Sequence, residues 1–195
     1  MIGVMVPSIF AEISITDDST GGDCTTIGTW DSASKTCTLT SDISDSIVIN
    51  SDGIILDGND HTINVDLLEG NNPVIASYDN NNVIITNFKI SCTPGGGGSA
   101  FPSSPNSYAC HKPGIVSNNG ENIIISNNHI TNLLNHYIQV SYGSPLDNLF
   151  VGGEIYGNIL EKPDWSLNSS CLLQFLHGQT VLRYMIMSLI ILECQ

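Results

Sequence analysis

Two aspartates and a histidine fall within five residues of one another in the stretch "SDGIILDGNDHTI" (51 to 63): Asp57, Asp60 and His61. Carboxylates beside an imidazole can hold a hard cation such as calcium through oxygen ligands, or pass a proton to and from a bound molecule. These three are the candidate metal or proton-transfer residues of the chain. The same letters also spell a tight turn, with Gly58 supplying unusual backbone angles and Asp and Asn tolerating them. No EF-hand-like spacing accompanies the cluster, so the turn is the reading carried forward.

The six cysteines are the second group with chemistry of their own. Cys24 and Cys37 lie thirteen apart around "TTIGTWDSASKT", which alternates like a short hairpin, and Cys92 and Cys110 bracket "TPGGGGSAFPSSPNSYA". Neither pair has the C-x-x-C spacing of a zinc or redox site. Proximity favours two local disulfides, each worth about 3 kcal/mol if unstrained. Such bonds require an oxidising compartment and hence an extracellular, cell-surface or periplasmic protein. Cys171 and Cys194 stand apart, as a third bridge or unpaired. The apolar opening "MIGVMVPSIFA" (1 to 11) reads as a secretory signal segment lacking its basic start, and Asn168 opens an N-x-S sequon.

With 195 residues and a formal charge of −14, only five of them Lys or Arg, the chain has no basic cluster to neutralise phosphates. Nucleic acid and anionic membrane surfaces are therefore excluded as expected partners. The run "VLRYMIMSLIIL" (181 to 192) is too short for a transmembrane span and contains Arg183.

Four segments share one grammar: "SIVINSDGIILDGNDHTI" (46 to 63), "PVIASYDNNNVIITNFKI" (73 to 90), "GIVSNNGENIIISNNHI" (114 to 130) and "YIQVSYGSPLDNLFVGGEI" (137 to 155). Each is a short apolar strand, a polar turn, a second apolar strand, a corner and then a lone Ile. Val83, Ile85, Asn87 and Ile90 correspond to Ile123, Ile125, Asn127 and Ile130. Ile54, Leu56 and Ile63 take these places in the first copy, with the corner two residues longer, and Leu149, Val151 and Ile155 take them in the fourth. Side chains two apart on a strand share a face, so these aliphatic residues point inward together. The starts at 53, 82, 122 and 148 lie 29, 40 and 26 residues apart.

Runs of β-branched residues bounded by Asn, Asp, Gly and Pro favour strands, and a recurring Asn at one register favours a solenoid over a sandwich. The expectation is an all-β solenoid of about four coils, its like residues stacked about 4.8 Å apart. Asn87 and Asn127 would form a structural corner ladder. The organisation expected is an N-terminal hairpin or cap over 12–45, repeats over 46–158 with a loop insertion at 92–112, and an atypical tail or C-terminal cap over 159–195. Only one of the twenty Asn lies beyond residue 158.

The coils "GIILDGNDHTI", "NNVIITNFKI" and "ENIIISNNHI", with the preceding "DCTTIGTWDSASKTCTLTSDI", resemble the right-handed parallel β-helix repeat proteins of the pectate-lyase-like superfold. They are most similar to its NosD- and CASH-type surface repeats. That resemblance implies a right-handed parallel β-helix with a structural or carbohydrate-contacting role at the cell surface. Phe88, Tyr142 and Tyr156 are then the aromatics expected to meet a polysaccharide or cell-surface glycan. Enzymes of this fold cleave acidic polysaccharides, which makes a polysaccharide lyase or glycoside hydrolase fragment the alternative. The chain lacks their N-T-D, G-H-G and R-I-K motifs, its one D-D (Asp17, Asp18) precedes the repeats, and Lys89 is the one basic residue inside them. No catalytic residues are assigned. The NosD likeness also raises copper, for which Met185, Met187, His61, His111, His129, His136 and His177 are available but not at ligand spacing. No cofactor is evident, and calcium at the corner aspartates is the one candidate considered.

Overall fold

Short β-branched runs separated by Asn, Asp and Gly leave the backbone few options besides brief strands joined by tight turns. The computed structural model describes residues 12–66, 72–93, 112–133, 136–141, 153–161 and 173–176. The chain begins with β1 (Ile13–Ile15), a single helical turn α1 (Cys24–Ile27) and a hairpin of β2 (Gly28–Asp31) and β3 (Thr36–Leu39). Then come β4 (Ile47–Ile49), β5 (Ile55–Asp57) and β6 (Thr62–Asp66), followed by β7 (Ile75–Tyr78), β8 (Ile84–Thr86) and β9 (Lys89–Thr93). The same order continues in β10 (Ile115–Asn118), β11 (Ile124–Ser126) and β12 (His129–Thr131), then β13 (Ile138–Ser141), β14 (Glu154–Tyr156) and β15 (Ile159–Glu161), and finally β16 (Leu173–Leu176).

Three sheets result. The first is β1-β4-β7-β10-β13-β16, the second β2-β3-β5-β8-β11-β14 and the third β6-β9-β12-β15. All strand pairings are parallel except the β2–β3 hairpin. From β4 onward the chain visits first, second and third sheet in strict rotation, an all-β arrangement compatible with a parallel β-helix. The segment before residue 46 obeys the same rule: β1 pairs with β4, β3 with β5, and Ile43 bridges to Ile63 in the third sheet. It is thus a circuit in its own right, carrying the hairpin, with Cys24 and Cys37 joined by a disulfide. The described residues hold five circuits where about four coils were expected, and β16 lies beside β13 as the start of a sixth.

The core is the column that the repeat grammar anticipated. Leu56, Ile85, Ile125 and Ile155 lie side by side in the second sheet, and Ile63, Ile90, Ile130 and Leu160 in the third. All eight are buried. The fourth copy is a correction: Ile155 stands beside Ile125, not Ile130, and Leu160 takes the place assigned to Ile155. Equivalent positions are therefore 29, 40 and 30 residues apart. Leu149 and Val151 lie outside the described residues, and Ile159–Glu161, read as the start of the tail, is a third-sheet strand. The insertion over 92–112 begins inside β9, so Cys92 is buried in the wall of the third sheet and is disulfide-bonded. Its expected partner Cys110 lies outside the described residues.

Inward-facing Ser77 and Ser117 break the aliphatic column of the first sheet. They stand in register between Ile49 and Val140, are 1% exposed, and their hydroxyls have no partner among the described residues.

Candidate functional site

The cluster Asp57, Asp60 and His61 sits where the chain passes from second to third sheet, and the structure sends its three side chains to three different partners. Asp57 Oδ1 accepts from the backbone N–H of Asn59 at 2.9 Å and from Asn87 Nδ2 at 3.0 Å. Asp60 faces Lys89 Nζ at 4.0 Å. His61 Nδ1 lies 3.3 Å from Asp42 Oδ1, an oxygen that also accepts the Thr62 N–H at 2.8 Å. That N–H, reinforced by His61, holds the Asp42 carboxyl below its ordinary range. Sequence reasoning passed over Asp42, although its separation from His61 is roughly that of one circuit lacking the hairpin. Among the described residues no three His, Cys, Asp or Glu side chains gather as a metal-binding group. The arrangement is a carboxylate-supported turn with an imidazole–carboxylate pair beside it.

The turn's backbone corrects one detail. Positive φ falls on Asn59 (47°) and Asp60 (64°), and Gly58 is not in the left-handed region. Gly58 is required for space instead: a Cβ there would stand 2.6 Å from both the Asn87 carbonyl oxygen and the Phe88 ring. In later circuits the left-handed residue is Asn87 (59°), Asn127 (56°) and Gly157 (64°).

That conformation also corrects Phe88. If strand alternation ran unbroken through the corner, Phe88 would face outward with Ile84 and Thr86. The left-handed residue at 87 turns the chain and shifts the alternation, so Phe88 points inward and is 1% exposed. It is core and not a surface aromatic. Tyr142 lies outside the described residues. Tyr156 does face outward from β14, at 39% exposure, and Tyr78, not singled out from sequence, is 42% exposed on β7. Burial of part of the Tyr78 ring raises its hydroxyl above the ordinary range.

Asn87 and Asn127 occupy one corner register, as expected, but no side-chain bond joins them; Asn87 reaches back to Asp57. The ladder runs one residue later. Asn128 Oδ1 accepts the Phe88 N–H at 3.0 Å while its Nδ2 donates to the Ile85 carbonyl at 3.2 Å. Asn158 Oδ1 in turn accepts the Asn128 N–H at 2.9 Å, and its Nδ2 donates to the Ile125 carbonyl at 2.8 Å. Both amides are almost wholly buried. A second, exposed ladder lines the corner between first and second sheets, where Asn119 Nδ2 donates to Asp79 Oδ1 at 2.8 Å and Asn122 Nδ2 to Asn82 Oδ1 at 2.9 Å.

Other charged groups are engaged in the same structural way. Lys35 Nζ lies 3.1 Å from Asp17 Oδ2, and this ammonium holds the Asp17 carboxyl below its ordinary range. Asp18 Oδ1 accepts from the N–H groups of Thr20 and Gly22 and from the Thr20 hydroxyl, which depresses its pKa strongly. On the outer face of the third sheet, His129 Nε2 is 3.2 Å from Glu161 Oε2. Lys89, the one basic residue of the repeats, is an exposed neighbour of His129.

The outer face of the second sheet is built differently. Asp57, Thr86, Ser126 and Tyr156 form one column across four circuits, with Thr86 Oγ1 and Ser126 Oγ 3.1 Å apart. Beside it runs Ile55, Ile84, Ile124 and Glu154. No helix among the described residues is long and apolar enough to cross a membrane. In comparison with known proteins, no family model, no curated protein and no solved structure matches the chain.

Proposed function

We propose that the chain is an exported right-handed parallel β-helix repeat module with a structural or carbohydrate-contacting role at the cell surface, and without catalytic residues of its own. The observation that carries the reading is one column on the outer side of the second sheet, where the half-buried Thr86 and the buried Ser126 lead at strand spacing to the exposed ring of Tyr156. Sugars are bound by that combination of hydrogen bonds to hydroxyls and a ring against a CH face. The Cys24–Cys37 disulfide supports export to an oxidising compartment. The Asp57 carboxylate is occupied in shaping the turn, Asp60 faces Lys89, and Lys89 is the one Lys or Arg in the strands of the described residues.

The test is retention of glycans by purified protein, compared with Tyr156→Ala. Retention without cleavage, lost in the variant, supports the proposal. Release of unsaturated or reducing ends would replace it with the lyase or hydrolase alternative, and stoichiometric copper or calcium after dialysis would replace it with a metal-handling role.

A further inference from the structure

The second sheet carries acids and no bases on its outer face. Asp31 and Glu154 are exposed at the two ends of one outer column, with Thr36, Ile55, Ile84 and Ile124 between them. The half-buried Asp57 stands in the next column, in line with Thr86, Ser126 and Tyr156. Strands β2, β3, β5, β8, β11 and β14 contain no Lys, Arg or His. Lys35 Nζ, at the hairpin turn, is held by Asp17 Oδ2 at 3.1 Å and by the Asp52 carbonyl at 3.3 Å. Lys89 belongs to the third sheet, opposite Asp60.

We propose that this face selects uncharged polysaccharides and turns away chains of uronate or sulfated sugars; the proposal rests on the glycan-contacting reading above and adds the class of chain. Glu154 lies two residues before the exposed Tyr156 on β14 and faces the same way, about 7 Å along the strand. That is within one Debye length, about 8 Å at physiological ionic strength, so an anionic sugar stacked on the ring is repelled with no cation on the sheet to offset it. The hydroxyls of a neutral sugar carry no such cost. Ile84 and Ile124, half-buried beside Thr86 and Ser126, add the apolar surface that the CH face of a pyranose ring matches. The class selected is thus opposite in charge to the acidic polysaccharides cleaved by enzymes of the fold that the repeats resemble. The competing place for an acidic chain is the outer face of the third sheet, where Lys89 neighbours His129.

The experiment is binding of the full chain to immobilised neutral glucan, galactan and mannan and to immobilised polygalacturonate, at low and at high salt. The expected result is retention by a neutral chain, lost in Tyr156→Ala, with polygalacturonate bound about tenfold or more weakly at low salt and the gap narrowing as salt rises. Glu154→Gln should narrow the gap at low salt, and the same charge change at Glu121, exposed on the corner between first and second sheets, should narrow it less. Polygalacturonate bound at low salt as tightly as any neutral chain would overturn the proposal and leave the glycan-contacting reading standing; loss of that binding in Lys89→Ala would place it on the third sheet. Retention by none of the four chains would overturn both. Equal narrowing by Glu154→Gln and Glu121→Gln would assign the exclusion to net charge, and a gap unchanged by salt would deny it an electrostatic cause; either overturns the proposal.

Discussion

The corner of the first full repeat and the corners after it solve one problem with different residues. In each, the chain leaves the second sheet, turns sharply and enters the third, which strands backbone groups close to the core. From Asn128 onward a buried amide on each circuit serves the circuit before it, and the corner is short. Before that, the place is held by Phe88, which has no amide to offer. The circuit below compensates locally. It gains two residues, places Asn59 and Asp60 in the left-handed region, lets Asp57 accept the Asn59 N–H and the Asn87 amide, and bonds the His61 N–H to the Gly58 carbonyl at 2.8 Å. The longer corner at 57–61 accompanies a missing asparagine, and of its three chemistry-bearing side chains Asp57 is the one that bonds the turn's backbone. Chemistry-bearing residue types gathered on a turn thus point to backbone satisfaction before they point to a substrate.

That contrast can be broken most severely at its later half. Asn128→Ala removes the partners of the buried Phe88 N–H and Ile85 carbonyl, and the expected cost is about 3 kcal/mol in a denaturant midpoint at unchanged slope. The same substitution at Asn87, which bonds Asp57 from a half-buried position, should cost less than half as much. Next comes the earlier half. Gly58→Ala sets a methyl against the Phe88 ring and the Asn87 carbonyl, and should cost about 2 kcal/mol, part of it recovered in combination with Phe88→Leu.

Ser77→Val has the opposite sign. It exchanges an unpartnered buried hydroxyl for two methyls between Ile49 and Ser117, and should raise stability by about 1 kcal/mol. The smallest effect is pH-linked. Asp42 is held below its ordinary range chiefly by the Thr62 N–H, and then by His61. A depressed carboxyl stabilises above its unfolded pKa and loses that contribution as pH falls through its folded pKa. The melting temperature of Asp42→Asn should therefore lie below the parent at neutral pH, with the gap closing below about pH 4. A gap that widens in acid would assign Asp42 another role.

Much of this was readable from the letters. The spacing of Val83, Ile85 and Ile90 against Ile123, Ile125 and Ile130 is a direct image of the stacked sheets, because a period of two within a strand and a fixed corner leave one workable register. The fourth copy slipped because Gly153 stands where the others have Val or Ile, so the eye settles on the apolar pair Leu149 and Val151 instead. The first circuit was missed because the β2–β3 hairpin interrupts it and hides the parallel relation of β1 to β4. Phe88 is core because the left-handed Asn87 before it resets the strand's alternation, a turn of the backbone that its letter does not announce. The ladder was placed one residue early for a related reason. Asn87 and Asn127 are the residues that tolerate positive φ, whereas the inward-turned neighbour carries the buried amide.

The stacking of circuits in the stated register is tested most directly by a designed cross-link. Thr86 and Ser126 are 40 residues apart in sequence and face each other on the outer surface of the second sheet, their hydroxyl oxygens 3.1 Å apart. Cysteines at in-register positions of adjacent strands fall within disulfide reach. Thr86→Cys combined with Ser126→Cys should oxidise to a single intramolecular bridge, mapped by peptide mass. Thr86→Cys with Tyr156→Cys, two circuits apart, should not. A bridge in the second pair, or none in the first, would contradict the stacked-circuit account.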